Sequence, residues 1–415
     1  MAQPASHAVE DDLLYDPQDA GDIAGDVRDP YPDLAIQREA NPVKVIDLAA
    51  EFGVVHEAGM ARQPDMYTVF SYDAVRQVLA DNEGFSSAGY AAVMGQVMGH
   101  TILEMDAPEH PRHRALVARA FRTRMLQRWG DTLITDTVRE LVDRIAPLGR
   151  ADLVRSLTFP FPVKVIARIL GLPDEDWPKF QRWSIELIGV GADWERGVAA
   201  SAALRDYFSQ VVTARRADPR DDLISQLTQA EVDGHRLADD EIYPFLCLLL
   251  PAGAETTYRS SGNLIHLLLT HRDQLEAVRA DRSLLPQAIE EALRIEPPLL
   301  FIMRTAAHDV DVCGTTIPAG STVGVSLGAA NRDPTRWSDP DTFDIFREPK
   351  QHISFAAGPH LCLGMHLARL ETRVVLDAVL DRLPGLRLDP DAEDPHIHGL
   401  TFRSPTSLPV LFDPS

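Results

Sequence analysis

The chain has 415 residues, 45% hydrophobic and 25% charged, enough for a sizeable buried core in one large domain or two to three smaller ones. Its 62 acidic residues against 40 basic ones give a net charge of −22, which argues against nucleic-acid binding, since that rests on Lys and Arg contacts to phosphate. Three cysteines, Cys247, Cys313 and Cys362, odd in number and far apart, argue against a disulfide framework and fit a reducing, cytoplasmic setting.

Residues 1–30 are acidic and rich in Pro, Gly and Asp, and read as an irregular tail ahead of one folded unit over 31–415. No basic stretch precedes an apolar core there, so no signal peptide is expected. The longest apolar run, Phe245 to Ala254, falls short of the ~20 residues of a membrane span, so a soluble protein with soluble partners is expected.

Met66 to Phe70 reads as a strand and Ala74 to Ala80 as a helix, followed by a long loop from Phe85 to Leu103. Helical spacing then dominates over Ala115–Phe121, Asp131–Ile145, Pro162–Leu170, Ala199–Arg216, Asp239–Thr270 and Leu285–Ile295. Ile317 to Val325 reads as strand, turn, strand, and Cys362 to Leu383 as a last helix ended by Pro384 and Gly385. With no internal repeat and no linker, the expected fold is mainly α with small β-sheets.

One segment carries specific chemistry: Phe355-Ala-Ala-Gly358-Pro-His360-Leu-Cys362-Leu-Gly364, just before a helix. It resembles the haem-ligand signature of the cytochrome P450 family, Phe-x-x-Gly-x-His-x-Cys-x-Gly, with Ala356 standing where the family often has Gly. A thiolate ligand needs deprotonation, which a metal and nearby N–H donors favour. It also needs small neighbours beside a flat macrocycle, a need that Gly358 and Gly364 meet. Phe355 is suited to shield the sulfur and His360 to bind a propionate. Two other readings stand beside this one: a buried structural cysteine in a Gly-containing turn, and a zinc site from His352, His360, Cys362 and His366, whose spacings are looser than zinc sites usually show.

Pro251-Ala252-Gly253-Ala254-Glu255-Thr256 lies inside an apolar helix, where a Glu is costly without a partner and Pro251 should kink the chain. A packing notch with Thr256 bonded back to a carbonyl would explain it structurally. The pattern is similar to the family's oxygen-activation motif, Ala/Gly-Gly-x-Asp/Glu-Thr, in which Ala252 and Gly253 let a flat ligand approach. That resemblance implies that Thr256 holds oxygen and a water at the reacting centre and that Glu255 relays protons. Pro251 departs from the Leu- or Ala-like residue expected there.

Glu291-Ala-Leu-Arg294 places opposite charges on one helix face, as a solvated surface pair also would. It resembles the family's Glu-x-x-Arg motif, which implies a buried pair completed by Arg347. His110 and Arg114 share a helix face four residues apart, and with Arg304 and His360 they match the family's propionate clamps. The stretch from His110 to Gly130 holds Arg112, Arg114, Arg119, Arg122, Arg124 and Arg128 and no acid. An acidic ferredoxin is expected to dock near Arg112, Arg119 and Arg122, unless this is only a solvated basic helix.

The resemblance runs from about Asp106 to the C-terminus. It implies haem b and a monooxygenase that draws electrons from NAD(P)H through a ferredoxin reductase and a ferredoxin. No fused reductase is expected. The competing functions are a peroxide-using haem enzyme and a haem-based gas-binding protein without turnover; the intact Glu255–Thr256 pair disfavours both. By resemblance the substrate walls are Met94, Val97, Met98 and Ile102; Leu246, Leu249 and Leu250; Leu299, Leu300, Phe301 and Ile302; and Leu400 and Phe402. Between Ser86 and Leu103 only His100 is a candidate cation, so a neutral, largely apolar substrate, hydroxylated or O-dealkylated, is expected. The opposing possibility is that Arg403 reaches inward to pair an acidic substrate.

Overall fold

The computed structural model describes residues 27–53 and 66–415, apart from Val93, Arg122, Ala192 and Asp233. The acidic tail expected over 1–30 therefore lies, up to residue 26, outside the described residues, as does Arg122. Most of the expected helices form close to their expected bounds: Tyr72–Ala80, Pro160–Ile169, Trp194–Ala217, Leu285–Ile295 and Met365–Arg382. Helices Trp177–Ile188, Leu223–Gln229 and Arg272–Ala280 add to them. Among the described residues no helix is long and apolar enough to cross a membrane.

The helix Thr256–Thr270 is the axis of the core. It is buried from Thr257 to Ile265 without a break, the pattern of a helix covered on all sides. Its polar side chains are paired locally. Ser260 and Ser261 donate to the Thr257 carbonyl, and Asn263 donates to the carbonyls of Glu296 and Arg403 at 3.1 and 3.0 Å. The helices Leu285–Ile295 and Met365–Arg382 pack against it.

A five-stranded sheet stands beside the helices. Its order is Val43–Val45, Tyr67–Val69, Thr322–Ser326, Phe301–Ala306 and Phe85–Ser86, with only the second and third strands parallel. Its register sets Arg304 opposite Val323, and alternation along the strand turns Arg304 into the protein. The long loop expected over Phe85 to Leu103 is more ordered than its composition suggests. After Phe85–Ser86 it forms a 3₁₀ turn at Ala88–Ala92 and a helix at Met94–Met98. Met303 N–H donates to the Tyr90 hydroxyl at 2.9 Å and pins this segment to the sheet.

Candidate active site

The thiolate segment is a tight loop between the sheet and the helix Met365–Arg382. Cys362 N–H donates to the Phe355 carbonyl at 2.9 Å, and Ala356 N–H to the Ile353 carbonyl at 2.9 Å. Ala356 sits at φ 59°, a left-handed conformation that an L side chain resists. Gly358 is required for a reason unrelated to a flat ligand: at φ 68°, a Cβ there would lie 2.1 Å from the Leu79 carbonyl oxygen. Gly364 is the reverse case, since a Cβ on it would meet nothing within 4 Å.

Cys247 is buried, its thiol pushed up to about 11 by burial, whereas Cys362 is exposed. Although part of the residue reaches solvent, the protein packed around the Cys362 sulfur desolvates it and pushes the thiol above its ordinary value, opposed by a backbone hydrogen bond from Gly364 and by the guanidinium groups of Arg114 and Arg369. Arg114 also donates to the Leu361 carbonyl. Three positive dipoles or charges thus already face the sulfur, and a bound metal would complete its deprotonation.

The helix Glu109–Ala118 carries the other donors. The His110 and His360 rings lie 4.0 Å apart, and His110 Nε2 is buried with no hydrogen-bond partner. Burial and neighbouring cations hold both imidazoles neutral, His360 down to about 3. Arg304 is buried and also shifted down by burial, with the Met303 carbonyl 2.7 Å from Nη1. Asp106, the carboxylate beside this group, is already held by Ser86 and by the Ser87 N–H at 3.0 Å. Four nitrogen-bearing side chains therefore converge with little counter-charge. The residues fit an iron porphyrin on three grounds: an exposed sulfur, the open space above Gly364, and an orphaned buried nitrogen within a cationic cluster suited to carboxylates.

In the acid–alcohol segment a π turn spans Pro251–Glu255, starting at Pro251, which lacks an N–H. Thr256 Oγ1 donates to the Ala252 carbonyl at 3.0 Å, the back-bond expected of a notch. Gly253 faces Ile166, whose Cδ1 would be 3.1 Å from a Cβ, whereas Ala252 is exposed. Glu255 is buried and gripped. Its Oε1 accepts from Arg259 Nε at 2.8 Å and again from Arg259 Nη2, while Oε2 has no partner. The guanidinium also lies 5.3 Å from the Phe402 ring centre. Sequence reading missed Arg259, although its i, i+4 spacing from Glu255 was the available signal.

Leu249, Ala252 and Thr256 share the open face of this helix, while Leu246, Leu250 and Ala254 are closed into the core. Leu250 and Leu300, both at 0% exposure, and Met98 at 1% touch no open space, so the structure differs from the expected walls at these three. The reason is angular: neighbours on a helix point ~100° apart, so Leu249 and Leu250 cannot both face one cleft. Val97 and Leu400 are likewise buried. Met94, Ile102, Leu299, Phe301, Ile302 and Phe402 remain half-buried, with Leu299 and Phe402 paired to each other in an isolated antiparallel bridge. Arg403 does not reach inward. It is 1% exposed, donating to Glu296 Oε2 at 3.0 Å and to the carbonyls of Val27, Arg28 and Gly399. His100 is held by Glu104 at 2.7 Å and Glu109 at 3.0 Å.

The framework below the thiolate loop is buried. Glu291 and Arg294 make two contacts of 2.8 Å, and Arg347 Nε reaches Glu291 Oε1 at 3.1 Å. A second brace escaped sequence reading. Arg369 stacks 4.5 Å from the Phe355 ring and binds Glu290 at 2.6 and 2.8 Å, with His352 3.3 Å from the same carboxylate. These contacts place His352 against Glu290, away from any shared site with Cys362 and His366. On the outer face of the helix Glu109–Ala118, Arg112 and Arg119 are exposed, Arg119 donating to the Glu231 carbonyl. Arg128 is paired with Asp221.

A sequence profile described as Cytochrome P450 matches residues 163–401. The chain is 37% identical to the cytochrome P450 monooxygenase PikC of Streptomyces venezuelae, covering 87% of this chain and 85% of that one. It is 37% identical to a steroid C26-monooxygenase of Mycolicibacterium smegmatis over 83% of this chain and 87% of the relative. Among solved structures, CYP109E1 from Bacillus megaterium in complex with testosterone superimposes with a TM-score of 0.83 at 32% identity, covering 93% of this chain and 99% of that one. The chain therefore belongs to the cytochrome P450 family, as a bacterial-type monooxygenase that binds iron protoporphyrin IX, haem b.

Proposed function

We propose that residues 31–415 form one haem domain that inserts an oxygen atom from O2 into a neutral, largely apolar small organic molecule, by hydroxylation or O-dealkylation. In this reading it works in the cytoplasm with electrons from NAD(P)H through a reductase and an acidic ferredoxin. The haem, held through a thiolate, supplies oxygen activation. The chain supplies the rest. Cys362 gives the thiolate, with Phe355 shielding it and Gly364 leaving room for the ring. His110, Arg114, Arg304 and His360 hold the propionates. Ala252, small and exposed, lets the helix run close to the ring, while Gly253 makes room for Ile166 on the other side. Thr256 Oγ1 holds a proton at the reacting face, its present acceptor being the Ala252 carbonyl. Glu255 Oε2, free while Oε1 is pinned by Arg259, is the atom that takes and passes protons. Glu291, Arg294 and Arg347 brace the core.

The observation that carries the neutral-substrate reading is the state of the nearby cations. Arg403, Arg259 and His100 are each committed to a carboxylate of the protein. A buried carboxylate on the ligand would need to break one of these pairs. Relatives named for steroid C26 oxidation or solved with testosterone support a large apolar skeleton. Titrating matched pairs, such as an aromatic acid and its methyl ester, into the ferric protein tests this. The ester should bind more tightly and give the larger spin-state shift. Tighter binding of the acid would overturn the reading.

A further inference from the structure

Apart from the haem site, one cluster of side chains among the described residues has the composition of a metal centre. His113, on the helix Glu109–Ala118, His235, on the strand His235–Arg236, and Glu241, in the first turn of Asp239–Leu250, bring one ligand atom each within 4.8 Å of one another. His113 is buried, and its Nε2 lies 2.6 Å from Glu241 Oε1. His235 Nε2 lies 3.5 Å from the same oxygen, buried and without a hydrogen bond. From these three residues we propose a second, non-haem site that takes one divalent transition-metal ion of the zinc class.

The orientation of each ligand supports it. His113 Nδ1 sits 3.2 Å from the Glu109 carbonyl, which only accepts, so Nδ1 carries the hydrogen and Nε2 is turned to the cluster. A ligating imidazole is usually held this way, by a backbone carbonyl on its far nitrogen. Glu241 divides its carboxylate between two tasks. Oε2 accepts the Ala238 N–H at 2.7 Å and caps the helix, leaving Oε1 to the two imidazoles. Zinc–ligand bonds of about 2.1 Å in a tetrahedron put ligand atoms about 3.4 Å apart. The present separations from Oε1, 2.6 and 3.5 Å, straddle that value, so His113 and Glu241 need only part slightly. On binding, the proton now between His113 Nε2 and Glu241 Oε1 leaves to solvent, and the metal takes its place on both atoms. Two imidazoles and one carboxylate leave the fourth position to water.

The position gives the site a bracing role. His113 is adjacent to Arg114 and three residues from His110, while Glu241 begins the helical run that leads to Thr256. The Arg119 contact to the Glu231 carbonyl already fastens the hairpin of Glu231–Val232 and His235–Arg236 to the end of the same helix. A metal would lock the helix bearing two propionate donors to the helix bearing the acid–alcohol pair, from outside the substrate cleft.

Tag-free, haem-loaded protein, stripped of loosely held metal on a chelating resin, should bind one Zn²⁺ per chain in calorimetry with ZnCl2. The zinc K-edge absorption spectrum should show two imidazoles and one carboxylate, and the thermal midpoint should rise. His235→Ala and Glu241→Gln should each weaken binding at least about 10-fold while keeping the ferrous–CO band. Gln retains an acceptor for the Ala238 N–H, so the cap survives. No uptake, an edge spectrum without imidazole, or equal affinity in a variant that keeps its CO band would overturn the proposal.

Discussion

Replacing Glu291 by Ala tests whether the buried framework is held by charge. Glu291 Oε1 accepts from Arg294 Nη2 at 2.8 Å, from Arg347 Nε at 3.1 Å and from the Asp344 N–H at 3.1 Å; Oε2 accepts from Arg294 Nε at 2.8 Å. Arg294 is 1% exposed and Glu291 2%. Arg294 would keep the carbonyls of Asn331, Pro340 and Thr342 but lose its counter-charge. Removing one partner of a buried pair costs about 3–5 kcal/mol, roughly a fifth or more of the 5–15 kcal/mol stability of a typical domain. The double variant Glu291→Leu/Arg294→Met should recover part of that loss, because it removes the stranded charge but leaves the carbonyls of Asn331 and Pro340 without this donor. Arg347 keeps the carbonyls of Ser338, Asp339 and Thr342 in both variants. Urea unfolding followed by tryptophan fluorescence, with haem content as a second readout, compares the two variants with the wild type. A loss below about 1 kcal/mol in the single variant would mean that the pair behaves as a surface ion pair and would refute the argument.

Three further outcomes follow from other parts of the structure. Ala356→Gly should raise stability by about 0.5 kcal/mol, since relief of a left-handed Ala, ~1–2 kcal/mol, is partly offset by the greater freedom of Gly in the unfolded chain; a lower urea midpoint would count against strain at this turn. Glu371 is fully buried and pushed up to about 8, despite a hydrogen bond from Thr257. The folded protein therefore holds a proton that the unfolded chain releases near pH 4.3, so stability should fall as pH rises from about 4.5 towards 8 and level off beyond, by at most ~1.4 kcal/mol per unit; Glu371→Gln should remove that slope, and an unchanged slope would place the titration elsewhere. If the exposed Arg112 face meets the acidic ferredoxin, stopped-flow reduction should slow with added salt and with Arg112→Glu, whereas a salt-independent rate would remove docking from this face.

What was legible in the sequence was chemistry carried by short segments. The thiolate loop, the acid–alcohol helix and the Glu-x-x-Arg helix segment each fall within about ten positions, so spacing could single them out; in the fold Glu291 does meet Arg294, whereas Glu255 meets Arg259, which sequence reading had not paired with it. The five-stranded sheet was not legible as a whole. Its strands run from two to six residues, and its pairings join Tyr67 to Val323 and Phe85 to Ala306, contacts that no local pattern encodes. The segment after Phe85 read as a loop because Gly, Ala and Met give weak periodicity; its order comes from the Tyr90 hydroxyl on the Met303 N–H, across more than two hundred residues.

The polarity of the substrate cleft depends on the same distinction. In sequence, Arg403 is a cation beside two expected wall residues, Leu400 and Phe402, and no carboxylate lies within eight positions of it. In the fold its partner is Glu296, which also accepts from the Tyr31 hydroxyl at 2.9 Å and from Arg332 at 3.1 Å, so one carboxylate from the end of the Glu–Arg helix gathers two cations. Such a hub is a buried network in which every member depends on the others, and drawing Arg403 towards a ligand would strand Glu296 and Tyr31 together. Glu255 and Arg259 repeat the pattern at the oxygen-activating helix, with the difference that Glu255 keeps one oxygen unengaged. Arg403 and Arg259 are thus committed to holding the walls, and among the described residues two buried carboxylate oxygens stay unengaged, Glu104 Oε2 and Glu255 Oε2, the second of them next in sequence to Thr256.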